Sequence, residues 1–116
     1  MSEPDAPRRV EIKEGDETVA AAQVSRRPGG TARASLHPPS GAAEPGTRAS
    51  LVDAVVETPE VQQSGRLEAT VPLGDGEALD RLRERTEDTS TRAAGSTALV
   101  DGALPGPGPG GPAPPP

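Results

Sequence analysis

Apolar and polar residues change their period along this chain, and the changes mark out its elements. Val10-Glu11-Ile12-Lys13 alternates, as a half-buried strand does. Glu14-Gly15-Asp16-Glu17 is a turn cluster. Val19 to Val24 then returns as a second strand, although the alanines at 20, 21 and 22 favour helix. The short gap containing a glycine joins the pair as a hairpin. Arg27-Pro28-Gly29-Gly30 breaks the chain, after which Ala32, Ala34 and Leu36 alternate with Thr31, Arg33, Ser35 and His37 in a third strand. Pro38 and Pro39 close it, because proline has no N–H for a ladder.

From Thr47 the period becomes helical. Leu51, Val52, Val55 and Val56 form one stripe, with Thr47 as the expected cap and Pro59 ending or kinking the helix near Thr58. Thr58-Pro59-Glu60 reads as the start of one more turn. Alternation returns in Leu67, Ala69, Val71 and Leu73, with Glu68, Thr70 and Pro72 on the other side. Pro72 suits an edge strand or a strand's last residues. Asp75 or Gly76 caps a second helix whose apolar positions are Ala78, Leu79 and Leu82. Thr86 to Thr91 is polar and acidic, and Arg92 to Val100 reads as a last, weakly alternating strand interrupted by Gly95. The fold class is therefore α+β: three antiparallel strands, then helix, strand, helix, strand, in one small domain over residues 9–104. Residues 1–8 read as a frayed, disordered N-terminus. The stretch from Pro105, with seven prolines and four glycines in its 12 residues, reads as a disordered polyproline-II-like tail.

Composition narrows the chemistry more than it names it. The 116 residues include no Cys, Phe, Tyr or Trp, which removes thiolate chemistry, disulfides, aromatic stacking platforms and a tyrosine acid or base. Leu, Ile and Val number 18, below the roughly 20 % associated with disorder, while a net charge of −6 is modest for this length. A largely disordered chain is thus the alternative, and a folded one has a thin core. The acidic balance argues against nucleic acid. No apolar stretch approaches the roughly 18 residues of a membrane span, and MSEPDAPRR has no apolar signal segment, so a cytoplasmic protein is expected. Eleven Arg against one Lys, with abundant Ala, Gly and Pro, reads as a GC-rich bacterial coding bias.

The order of elements resembles the later two thirds of a GNAT-type N-acetyltransferase, over residues 10–100. Glu14-Gly15-Asp16-Glu17-Thr18-Val19 is similar to the acidic turn before that family's second hairpin strand. Leu36-His37-Pro38, a loop, then Pro45-Gly46-Thr47-Arg48-Ala49-Ser50-Leu51-Val52 resembles its strand, coenzyme loop and following helix. Asp75-Gly76-Glu77-Ala78 is near the N-x-x-A that opens its last helix. The resemblance implies acetyl-CoA as the cofactor and Gly46, Thr47 and Arg48 as its binding residues. The family's pyrophosphate loop reads Q/R-x-x-G-x-G/A, so that backbone N–H groups approach the anion. Here the segment is Ala43-Glu44-Pro45-Gly46-Thr47-Arg48, with Ala first, Arg48 in place of the second glycine, and a proline that has no N–H. The resemblance would put a tyrosine acid near Leu82, and no acid lies on Thr31 to His37 to serve as base.

No other constellation carries chemistry. His37 is the single histidine, with no Asp or Glu within six residues, so no metal site is expected. Neither G-x-S-x-G nor S-x-x-K occurs. The residues support no catalytic site and no cofactor. The expected function is a non-catalytic domain acting through protein association, with itself or with another protein; the alternative is acyl-CoA binding through Gly46, Thr47 and Arg48. The stretch Gly74-Asp75-Gly76-Glu77 has the strand-turn-helix form of a phosphate cradle, but its carboxylates would repel an anion.

Overall fold

The structure, a computed structural model, describes residues 7–27, 29–38 and 44–105. Strands β1 (Arg8–Glu14), β2 (Glu17–Arg27) and β3 (Thr31–Leu36) come first. Helices α1 (Thr47–Val56) and α2 (Pro59–Gln62) follow, then β4 (Arg66–Pro72), α3 (Gly76–Arg85), β5 (Glu87–Ala94) and β6 (Thr97–Ala103). The six strands form one sheet in the order β1-β2-β3-β4-β6-β5, antiparallel except where β3 meets β4. The α+β class and the early element order are as expected. The expectations for the segments 1–6 and 106–116 lie outside the described residues.

Alternation sorts the sheet into two faces. Val24, Ala34, Ala69 and Val100 are successive cross-strand partners, and all are buried. Leu51, Val52, Val55, Val56, Val61, Ala78 and Leu82 from the helices belong to the same buried cluster. Helices therefore cover one face only. The row beside it on the other face is Ser25, Arg33, Glu68, Asp101 and Ser90. There Arg33 pairs with Glu68 at 3.2 Å, and Arg66 lies 2.5 Å from Asp101, each pair about half exposed. Among the described residues no helix is long and apolar enough to cross a membrane.

The end of the chain departs from the sequence reading. Thr86 to Val100 was expected to be a polar segment and one strand, but it is a hairpin of two, β5 and β6. Gly95, expected to weaken a strand, is the first of two loop residues with φ 65, between the closing partners Ala94 and Thr97. β5 shows no alternation because seven of its eight residues are exposed, so nothing imposed a period on them. Leu73 was grouped with the inward residues of its strand. It lies one residue beyond β4 and is 47 % exposed.

β1 is held down at its start by Arg8, whose Nε donates to Glu60 at 2.7 Å. That hydrogen bond holds the Glu60 carboxyl below its ordinary value. A lowered carboxyl value means the tether is present at neutral pH and is lost as pH falls through it.

The tightest joint in the hairpin is at Gly102. A Cβ there would meet Thr86 Cβ and Oγ1, each at 2.7 Å. Thr86 is buried, and its hydroxyl donates to Leu82 O at 2.7 Å and lies 2.7 Å from Thr89 Oγ1. Rotation of Thr86 cannot move its Cβ away. Gly102→Ala is therefore expected to destabilise by about 1–3 kcal/mol in chemical denaturation, as overpacking does.

A crevice at the ends of the parallel strands

The candidate site follows from how the sheet divides. β3 and β4 pair from Thr31↔Arg66 to Ser35↔Thr70 and no further. Beyond that point β3 stays with β2, through Ala22↔Leu36 and a 2.9 Å hydrogen bond from His37 N to Ala21 O. β4 stays with β6, through Val71↔Ala98 and Pro72↔Thr97. The two parallel strands thus part at their C-terminal ends, the place where open α/β-type sheets generally form a ligand crevice.

Pro72 fits this split. Leu73 N donates to Ser96 O at 3.0 Å, so the donors of alternate residues on this strand point to β6. The nitrogen of Pro72 points the other way, toward the gap that β3 has left. A proline at the end of an interior strand is tolerated here because no partner is there to be denied a hydrogen bond. The placement of Pro72 among a strand's last residues is as expected; the strand is interior, not an edge.

The N-terminus of α1 lies beside this region, with Thr47 N donating to Glu44 O at 3.1 Å. Gly46 is the N-cap, with φ 94 and no side-chain cap, so Thr47 is the first helical residue instead of the expected cap. The helix has no acidic residue in its first turn. Such a terminus is a ready anion site, with unpaired N–H groups and the positive end of the dipole. The anion is supplied by the chain itself: Ala49 N donates to Glu77 Oε2 at 3.2 Å.

Arg48 makes the second contact across the crevice. Its Nε donates to Asp75 Oδ2 at 2.8 Å, and its Nη2 donates to His37 O at 2.8 Å. The Arg48 and Asp75 side chains are 7 % and 5 % exposed. Asp75 is also the N-cap of α3, where Oδ1 accepts from Ala78 N at 3.4 Å. One arginine therefore joins the end of β3, the start of α1 and the cap of α3. Among the described residues its Nη1 is buried without a hydrogen-bond partner.

The structure brings Gly46, Thr47 and Arg48 together at one helix terminus. Sequence reasoning took Asp75 or Gly76 as the cap of the second helix, and Asp75 and Glu77 as carboxylates that would repel an anion, and missed that both also reach residues of α1. The signal that was available is the pairing of an arginine in an uncapped first turn with two carboxylates at the next helix start. Ala43 lies outside the described residues. His37 contributes its carbonyl oxygen to the site. Leu82 is buried in the core and presents no group to the crevice. A hollow of about 280 Å³, lined by Arg33, Glu68, Thr70, Ser90, Arg92 and Asp101 among others, lies on the uncovered sheet face instead. No group of three or more His, Cys, Asp or Glu suited to a metal occurs among the described residues.

Three solved acetyltransferase structures resemble this architecture. The Brucella melitensis ribosomal-protein-alanine N-acetyltransferase superposes with a TM-score of 0.59 at 14 % identity, covering 84 % of this chain and 69 % of that one. A GNAT-family acetyltransferase from Streptococcus pneumoniae gives 0.60 at 11 % identity, over 85 % and 67 % of the two chains. The GNAT domain of S. lividans PAT gives 0.57 at 12 %, over 83 % and 61 %. The fold is GNAT-like, and the chain spans about two thirds of the length of these structures. No protein-family model matches the sequence, and no curated protein does.

Removing one partner of a buried ion pair leaves the other charge without compensation. Arg48→Met is therefore expected to cost about 3–5 kcal/mol in urea unfolding. Adding Asp75→Asn, which keeps a cap acceptor but no charge, should recover part of that loss. Losses that simply add in the double mutant would show that the two side chains are not coupled.

Proposed function

We propose that this is a GNAT-like domain that does not transfer acyl groups and acts through protein association. The observation that carries the reading is the filled helix terminus. Where a coenzyme phosphate would meet N–H groups and an arginine, Glu77 already accepts from Ala49 N and Asp75 already holds Arg48. A phosphate entering there would have to displace both carboxylates or bear their repulsion. The absence of catalytic groups supports the same reading. At Leu82, near which the resemblance would put the tyrosine acid, the side chain is apolar and buried, and β3 carries no carboxylate. With neither group at the positions the resemblance points to, this reading assigns the domain's action to its surface.

One observation favours acyl-CoA binding as the second reading. Arg48 Nη1 is buried with a free donor among the described residues, and a guanidinium suits phosphate.

Titration of the full chain with acetyl-CoA, followed by amide NMR, separates the two. No change at residues 44–50 is expected with coenzyme in the millimolar range. Saturable shifts centred on Thr47, Arg48 and Ala49 would overturn the non-catalytic reading in favour of the second. In Glu77→Ala the Ala49 N–H loses its internal acceptor, so any affinity for the coenzyme should be greater in this variant than in the wild-type chain.

A further inference from the structure

The hollow of about 280 Å³ on the open face of the sheet belongs neither to the crevice nor to the core. The register places its lining in two neighbouring rows. Arg33, Glu68, Asp101 and Ser90 are successive cross-strand partners in one row, and Thr70, Leu99 and Arg92 in the next. The rows lie roughly 7 Å apart along the ladder, two residues at the antiparallel rise. Thr70 and Leu99 are half-buried and form the floor, while Arg33 on β3 and Arg92 on β5 stand at the two sides. Leu99 lies outside the core cluster and lends this space its apolar surface.

The hollow carries charge of both signs, and that charge is only partly used. Glu68 and Asp101 stand directly opposite each other, an arrangement of like charges that costs stability. Each is answered by one arginine on one oxygen: Arg33 donates to Glu68 Oε1, and Arg66 to Asp101 Oδ1. Among the described residues, Glu68 Oε2 and Asp101 Oδ2 accept no hydrogen bond. Arg92 is exposed and, among the described residues, has no ion pair. One row therefore offers two facing carboxylates, and the next a free guanidinium above an apolar floor.

We propose that this hollow binds a small zwitterion, of the size of a free α-amino acid with a short apolar side chain. The carboxylate of the ligand pairs with Arg92, whose planar fork suits it, in a space also lined by the Ser90 and Thr70 hydroxyls. Its ammonium sits between Glu68 and Asp101, takes their free oxygens and offsets their repulsion. Its side chain covers Leu99 and removes apolar surface from water. An anion alone would leave the facing carboxylates unrelieved, and a cation alone would leave Arg92 unanswered. The volume falls just below the roughly 300–1,000 Å³ of drug-sized pockets, which suits a ligand this small. The walls are about half exposed, so binding is weak, with a Kd of about 1 mM. The site is on the face away from α1 and Arg48 and does not depend on what the crevice holds.

Amide NMR of the full chain, titrated with L-valine, isobutylamine and isovalerate, tests this. The amine lacks only the carboxylate of valine, and the acid lacks only its ammonium. Expected are saturable shifts with L-valine at Thr70, Ser90, Arg92, Leu99 and Asp101, with either half-molecule bound roughly tenfold more weakly or worse. Arg92→Gln, at an exposed position with no ion pair, should weaken L-valine by about the same factor and leave isobutylamine no weaker. Asp101→Asn should weaken L-valine and leave isovalerate no weaker; if it fails to fold, Arg92→Gln decides. No saturable shift on the sheet at about 20 mM L-valine overturns the site. Isovalerate binding as well as L-valine would overturn the zwitterion in favour of a plain anion site at Arg92, and isobutylamine doing so would leave a cation site at the carboxylates. An affinity unchanged in folded Arg92→Gln removes Arg92 from the site and overturns the proposal. Shifts confined to residues 44–50 would overturn the location, and the coenzyme titration judges the crevice separately.

Discussion

The contact between Arg48 and Asp75 is the joint on which the rest of the arrangement depends. It lies where the sheet divides, and without it three chain ends would meet there with unsatisfied polar groups. β3 ends with a free carbonyl at His37, α1 starts without a side-chain cap, and α3 starts at Asp75. Arg48 answers the first and third, and Glu77, two residues after Asp75, answers the second. A buried guanidinium is costly unless its donors are used. Two of its three nitrogens are used here, both on groups that are themselves fixed by secondary structure.

The same geometry explains why a GNAT-like fold need not imply GNAT chemistry. A parting of parallel strands beside a helix N-terminus is an anion site by construction, because the donors and the dipole come from backbone. What occupies it is decided by side chains. An exogenous phosphate needs N–H groups that the protein leaves unused, whereas Glu77, in the first turn of the next helix, takes the Ala49 N–H within the fold and Asp75, the cap of that helix, takes the Arg48 side chain. Function thus turns on a few residues at a fixed position, and the shared architecture is only the setting.

Much of the fold could be read from the residues, because burial on one face imposes a period. Leu51, Val52, Val55 and Val56 form the predicted stripe and are all buried, and Ala32, Ala34 and Leu36 point into the core as their alternation required. Where nothing covers a strand, that constraint vanishes. β5 is exposed on both sides, so its first five residues read as a polar segment and its last three as the start of one strand, which also turned the glycine of a hairpin loop into a defect. The candidate site was half legible. Arg48 and the two carboxylates stood out singly, but their meeting depends on α1 and α3 lying side by side on one face. No local pattern carries the relation between residues 27 or more positions apart.

The two uncovered parts of the sheet differ in what they ask of a partner. On the open face two pairs of charges are answered within the chain: Arg33 by Glu68, and Arg66 by Asp101. Exposed pairs of this kind stabilise little, yet they leave few charges for a partner to recruit. The outer edge of β5 is different: Thr91 and Ala93 direct their backbone donors and acceptors away from β6, with no further strand beside them among the described residues. A row of backbone groups is directional and repeats along the strand, which makes it selective for an extended chain over a globular surface.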